Sequence, residues 1–234
     1  MKKFIAMLLV LVMAMSFAAC GASEPAFDPL QKAEGTMTYA EYAAAALESP
    51  VVVECFVQGN QSWWDNKITV YAQDPDGAYF LYEMACSEED AAKLVKGTKI
   101  KVTGYKAEGS GELEIIDSTF EILEGNWVAE AQDVTELLGS DELINHQNKF
   151  VSFKGLTVEN IEYKNGEPGD DIYVTFGYNG ASYDFCVERY LTGPETEVYA
   201  AVGALKAGDV VNVEGFLYWY NGANTHITSV TPAA

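Results

Sequence analysis

The stretch LVKGTKIKVTGY at residues 94–105 decides the fold, because it returns without a gap as LKAGDVVNVEGF at residues 205–216. Gly97 matches Gly208, and the second pair of glycines has the same separation along the chain. Between the glycines of each copy, apolar residues alternate with polar ones, which is typical of a β-strand with one buried face. The sequence therefore predicts two copies of one structural unit.

The residues on either side of this strand give the same order of elements in both copies. The first copy is predicted to contain a helix at 39–48, strands at 51–57, 67–72 and 78–85, a helix at about 87–95, and strands at 98–106 and 112–123. The second copy is predicted to contain a helix near 134–144, strands near 149–162, 171–177 and 182–189, a helix at about 195–205, and strands near 209–220 and 225–231.

The order strand, strand, strand, helix, strand, strand is that of the OB-fold. The repeated stretch also resembles the G-D-x-V-x-V-x-G strand of bacterial exported OB-fold domains. We therefore expect a mainly β protein with two tandem OB-fold-like five-stranded barrels, at 37–125 and 126–234. Each barrel should have a helix between strands 3 and 4 and a helix preceding strand 1. The resemblance implies a fold and not an activity.

The amino-terminal residues predict export. Three residues with two lysines precede an apolar run at 4–19, which is the layout of a secretory signal. The run ends in Phe17-Ala18-Ala19-Cys20, which resembles the lipobox of bacterial lipoproteins, where the cysteine is lipidated. These features predict a lipoprotein signal peptide at 1–19, a flexible tether at 20–36 and anchoring to the outer face of the bacterial cytoplasmic membrane. The alternative is an ordinary secretory signal beside an incidental cysteine.

The charge balance argues against nucleic acid as a partner, and the cysteine count argues against a disulfide framework. With 35 acidic against 14 basic residues and a net charge of −21, the chain repels phosphate backbones, so nucleic acid is expected to be an unlikely partner. Beyond Cys20, the cysteines Cys55, Cys86 and Cys186 are odd in number and have no C-x-x-C spacing. Buried thiols are therefore expected, with a Cys55–Cys86 bridge as the alternative.

Catalytic patterns are absent from the sequence. The two histidines, His146 and His226, lie in different copies, and there is no H-E-x-x-H, G-x-S-x-G or phosphate-binding glycine loop. Close pairs of acids at 74–77 and 167–171 are explained by turns. We expect no enzyme activity, no cofactor and no metal site.

Aromatic residues in two loops are the candidate binding residues. Trp63 and Trp64 fall between the first two strands of the first copy, and Tyr218, Trp219 and Tyr220 run to the tip between the last two strands of the second. These loops frame the usual ligand face of OB-folds. The sequence thus predicts a binding protein for an extracellular oligosaccharide or peptide. The alternatives are a structural or protein-interaction module of an envelope assembly, and rings that only fill barrel ends or pack the copies together.

Overall fold

The computed structural model describes residues 27–233, so the predicted signal peptide and Cys20 lie outside the described residues. The helices and strands, in chain order, are α1 (Tyr39–Ala44), β1 (Pro50–Asn60), β2 (Lys67–Gln73), β3 (Ala78–Ala85), α2 (Glu88–Ala91), β4 (Thr98–Gly109), β5 (Glu112–Asn126), β6 (Gln132–Asp133), β7 (Phe150–Tyr163), β8 (Ile172–Tyr178), β9 (Ala181–Val187), α3 (Glu197–Gly203), β10 (Val210–Phe216) and β11 (His226–Pro232). Within residues 27–233, no helix has the length and apolar character needed to cross a membrane.

Strands β1 to β5 form a closed barrel in the order β1-β2-β3-β5-β4, called the first barrel below. Antiparallel pairs join its strands except at β3 and β5, which run parallel where the barrel closes. Its interior is filled by buried apolar side chains, among them Val53, Val70, Leu81 and Ile100. The mainly β class and an OB-like barrel in the first copy are thereby confirmed.

Strands β6 to β11 form a six-stranded sheet in the order β10-β11-β9-β8-β7-β6, called the second sheet below. An additional pairing joins β10 to β7, so the sheet curves around its own core. Phe153, Phe176 and Phe185 pack together in this core. The helix predicted between strands 3 and 4 is present in both copies, as α2 and α3.

The single helix predicted at 134–144 is wrong. Two short 3₁₀ helices, Thr135–Leu137 and Leu143–His146, stand in its place, and the two-residue strand β6 precedes them. Gly139, which lies between the two, has a left-handed backbone with φ of 81°. A residue in that conformation ends a right-handed helix, so the apolar spacing of this segment could not form one continuous element.

The glycines of the repeated stretch have the same roles in both copies. Gly97 and Gly208 are left-handed, with φ of 93° and 95°, and each precedes the strand of its copy. Gly104 and Gly215 lie at register shifts between neighbouring strands, where a Cβ would meet backbone oxygens of the partner strand. Glycine is therefore required at the bulge of each copy.

The first barrel and the second sheet are joined by a contact surface, called the seam below, which is built around the buried rings of Tyr71, Phe80 and Phe216. The rings of Tyr71 and Phe216 stack with centroids 4.5 Å apart. The Tyr71 hydroxyl lies 2.5 Å from His226 Nδ1. Burial lowers the pKa of His226 to about 3, so this ring is neutral and its role at the seam is structural.

Part of the predicted tether packs against the first barrel. Phe27 meets Phe56 edge to face with centroids 5.9 Å apart, and Thr36 Oγ1 donates to Glu54 Oε1 at 3.3 Å. Between them, Lys32 Nζ forms a buried ion pair with Asp74 Oδ2 at 2.5 Å. The segment from Phe27 onward is therefore a structured part of the barrel wall.

Candidate functional site

A tight turn between β1 and β2 presents Trp64 to solvent. Asp65 and Asn66 both have positive φ, 47° and 61°, and Trp64 and Lys67 on either side exchange backbone hydrogen bonds of 3.0 and 2.9 Å. Two consecutive left-handed residues are the signature of the turn that closes a two-residue hairpin, and Asn and Asp tolerate this conformation best. The turn holds Trp64 with 70% of its surface exposed.

Beside this turn lies a groove of about 310 Å³ to which both halves of the chain contribute. The first barrel supplies the turn and β2, and the segment after β9 supplies Tyr190. Ser62 N donates to Tyr190 O at 2.7 Å, which fixes the two walls relative to each other. The residues that line it are Gln61, Ser62, Trp64, Lys67, Ile68, Thr69, Glu83 and Tyr190.

An ion pair forms part of the groove lining. Lys67 Nζ lies 2.7 Å from Glu83 Oε2, and the hydrogen bond to Glu83 raises the pKa of Lys67. Glu83 has a left-handed backbone with φ of 45°, and its N–H donates to Thr69 Oγ1. A non-glycine residue in this conformation is uncommon, and here it lies at the register shift between β2 and β3.

The groove carries little net charge despite the acidic surface of the chain. The charges of Lys67 and Glu83 balance, and the guanidinium of Arg189 lies 4.9 Å from the centre of the Tyr190 ring. Two exposed aromatic rings, an amide, a hydroxyl and one ion pair can hold a flat ring and hydrogen-bond its polar edge.

The structure separates the five aromatic residues that the sequence nominated. Trp64 alone lines the groove, while Trp63 packs on the first core and donates from Nε1 to Cys86 O at 2.9 Å. Tyr218 stacks on His226 at the seam with centroids 4.3 Å apart. Trp219 covers Gly111, and Tyr220 is 62% exposed away from the groove.

Sequence reasoning missed Tyr190, Lys67 and Glu83. Tyr190 follows the third strand of the second copy, and its place beside Trp64 depends on how the two halves pack. Lys67 and Glu83 sit at strand positions typical of a solvent-facing residue. The Asp65-Asn66 pair was the available signal in the sequence, since these residue types favour tight turns and predict a hairpin turn directly after Trp64.

No candidate metal centre is found among residues 27–233. These residues contain no group of three or more His, Cys, Asp or Glu side chains placed to hold a metal ion. Cys55, Cys86 and Cys186 are free and buried, so the structure has no Cys55–Cys86 bridge. Burial raises the pKa of Cys186 and of Cys55, which keeps both as thiols.

No protein-family model and no curated protein matches the chain. Several solved structures are similar to the chain. A murine DNA-binding protein bound to double-stranded DNA has 15% identity and a TM-score of 0.36, covering 80% of this chain and 97% of its own. The Ifi202 HINa domain with 20-bp double-stranded DNA has 11% identity and a TM-score of 0.35, covering 80% and 98%. The p202 HIN1 domain with 12-mer double-stranded DNA has 12% identity and a TM-score of 0.35, covering 87% and 96%.

These comparisons contradict the function predicted from the sequence. These three structures contain double-stranded DNA, which stands against the predicted extracellular oligosaccharide or peptide ligand. The expectation that nucleic acid is an unlikely partner is wrong on the same finding. At these TM-scores and identities, the likeness does not assign a ligand to this chain.

Proposed function

We propose that the chain is a non-catalytic binding protein that holds a nucleobase in the groove between Trp64 and Tyr190. The observation that carries this proposal is the pair of exposed rings from two different parts of the fold, one of them presented by a rigid turn. Bases stack on aromatic side chains with about 1–3 kcal/mol each, whatever their sequence. The Lys67–Glu83 pair and Gln61 supply donors and acceptors for the polar edge of the base.

The charge of the chain favours recognition of the base over recognition of the phosphate backbone. At a net charge of −21, the protein gains little from releasing counterions, which is the main source of affinity in backbone binding. We expect affinity that changes little with salt, and an unstacked base as the bound form. A free nucleoside and a single-stranded nucleic acid both present an unstacked base.

Equilibrium titrations with a nucleoside, a short single-stranded oligonucleotide and a duplex of the same sequence test the proposal. Trp64→Ala should weaken binding of the first two about tenfold or more, since one stacking contact is lost. Tyr220→Ala is the matched control, because Tyr220 is exposed to a similar degree but does not line the groove.

Three outcomes would overturn it: no binding of either base-bearing ligand, equal loss in both variants, or a preference for the duplex with steep salt dependence. A nucleoside that competes fully with the oligonucleotide identifies the base alone as the ligand. An oligonucleotide that the nucleoside cannot displace identifies the single strand.

We also propose that the second sheet is a second OB-like barrel, which makes the chain a tandem of two with the predicted boundary near residue 125. The support is the pairing of β10 with β7, the position of α3 between strands 3 and 4, and the matching glycines of the repeat. We further propose that the chain is exported and carries a lipid on Cys20. The proposed export and lipid rest on the apolar run at 4–19 and the lipobox-like ending that follows it.

A further inference from the structure

The turn between β4 and β5 is inserted into loops of the second half of the chain. Asn221 N donates to Ser110 O and Gln147 Nε2 donates to Gly111 O, both at 2.7 Å. Trp219 lies so close to Gly111 that a Cβ there would come within 2.8 Å of its ring. The tip of this hairpin is thus a second attachment between the two halves, beside the aromatic seam.

A carboxyl group is buried directly behind this tip. Glu112, the first residue of β5, is 0% exposed, and its Oε2 accepts the Trp219 N–H at 2.7 Å. Its Oε1 has no hydrogen-bond partner among the described residues. When a carboxylate is buried away from water, it loses more free energy of hydration than one hydrogen bond returns. The ionised form of Glu112 is therefore destabilised here.

The side-chain amide of Asn148, next to Glu112, also has a buried oxygen without a hydrogen-bond partner among the described residues. Asn148 lies within hydrogen-bonding range of Glu112, and its Nδ2 donates to Leu113 O at 3.1 Å. Its Oδ1 is buried and also lacks a partner in the described part of the chain. Each of these neighbouring side chains thus has one buried acceptor without a partner among the described residues. A proton on Glu112 Oε1 would turn that atom into a donor that the Asn148 amide oxygen can accept.

We propose that Glu112 is a proton-operated latch: its neutral acid closes the hairpin tip onto Asn148, and release of the proton to water weakens the attachment between the two halves. Burial raises the pKa of Glu112 to about 8, although the Trp219 N–H and Asn148 act in the opposite direction. The titratable groups that interact with it electrostatically are Glu114 on the same strand, Tyr39 and Tyr42 of α1, and Tyr218 after β10. None of these is a cation that could hold the carboxylate ionised.

The sign of the pH effect follows from the two states of the chain. In the unfolded chain Glu112 titrates near its ordinary value of 4.5, and in the folded protein it titrates near 8. The folded state therefore binds the proton more tightly. The contribution of the latch is complete below about pH 4.5 and is lost as the pH rises through about 8. The folding equilibrium constant should fall about tenfold per pH unit within this window.

Glu112→Gln tests the latch, because an amide keeps the shape and the donor of the neutral acid and cannot ionise. Urea unfolding measures the folding equilibrium constant at pH 6 and at pH 8. The factor by which this constant falls should be about tenfold or more larger in wild type than in Glu112→Gln. Glu121→Gln is the matched control, since Glu121 is exposed on the same strand and should leave the wild-type drop unchanged.

A second measurement does not depend on the variant folding. In wild type labelled at glutamate side-chain carboxyl carbons, the Glu112 resonance should remain that of a neutral acid at pH 6 and shift near pH 8. A resonance that titrates between pH 4 and 5 in the folded protein would overturn the proposal. So would a pH dependence of unfolding in Glu112→Gln equal to that of wild type.

Discussion

At the scale of single residues, the first barrel depends on charges that are buried and paired. Asp74 is 0% exposed and accepts hydrogen bonds from the backbone of Asp76 and Gly77, from the Tyr79 hydroxyl and from Lys32. A second pair, Lys99 with Glu54, is nearly as enclosed. Buried pairs of this kind contribute little net stability when complete, but removal of one partner leaves an isolated charge in the interior.

Lys32→Ala should destabilise the protein by roughly 3 kcal/mol, because Asp74 would remain buried without its counter-charge. Urea unfolding measured by tryptophan fluorescence gives this difference. Lys93→Ala removes a lysine that pairs with Asp90 and Glu89 at the surface and should produce no measurable change. An equally small effect of both variants would show that the segment from Phe27 onward does not hold the barrel.

Only part of the candidate groove could be predicted from the sequence. Trp64 could be nominated from the sequence because it falls in the loop that OB-folds use for binding, whereas Tyr190 becomes its neighbour only through packing between the two halves. Tyr218 was nominated on equal grounds, yet its ring is stacked on His226. An aromatic residue in a loop has the same sequence signal whether it contacts a ligand or another part of the fold.

At the scale of elements, the repeated strand was readable because its chemistry is local. Alternation fixes the buried face of β4, and the left-handed turn at Gly97 needs no information from distant residues. The helix at 134–144 failed because apolar spacing suggested a continuous element while Gly139 interrupts it. The pairing of β3 with β5 and of β10 with β7 joins residues far apart in sequence, which alternation within one strand cannot specify.

The tip of the β4–β5 hairpin gives a test of how this element is attached. Gly111→Ala should cost more stability than Gly180→Ala, although both glycines are left-handed, with φ of 89° and 80°. Each alanine carries about 1–2 kcal/mol of backbone strain. Only at Gly111 does the new methyl group also collide with Trp219, since nothing lies within 4 Å at Gly180. Equal losses in urea unfolding would mean that the tip is not held against Trp219.

At the scale of the whole molecule, strong overall acidity coexists with a groove that is nearly balanced in charge. The net charge of −21 discourages polyanions over most of the surface, whereas the balanced pair of Lys67 and Glu83 leaves the groove accessible to an uncharged ring. Overall composition alone suggested that nucleic acid was unlikely. Composition averages over the surface, and a binding site depends on the few residues that line it.

The proposed anchor is also a property of the whole chain. Cys20→Ser should move the protein from the membrane fraction to the medium of the producing bacterium, because the lipidated residue is lost while the export signal remains. Immunoblots of both fractions measure this, with Cys86→Ser as the matched control for the loss of a thiol. Wild type and Cys20→Ser in the same fraction would count against the anchor.

The seam also bears on how a two-copy chain can change during evolution. The last residues of the two repeated stretches, Tyr105 and Phe216, occupy equivalent positions, but Tyr105 is 48% exposed and Phe216 is 3% exposed. One copy thus uses this position at the seam, while the other leaves it at the surface. Loss of the second copy would expose Tyr71 and Phe80 together, so we expect neither half to persist in evolution without the other.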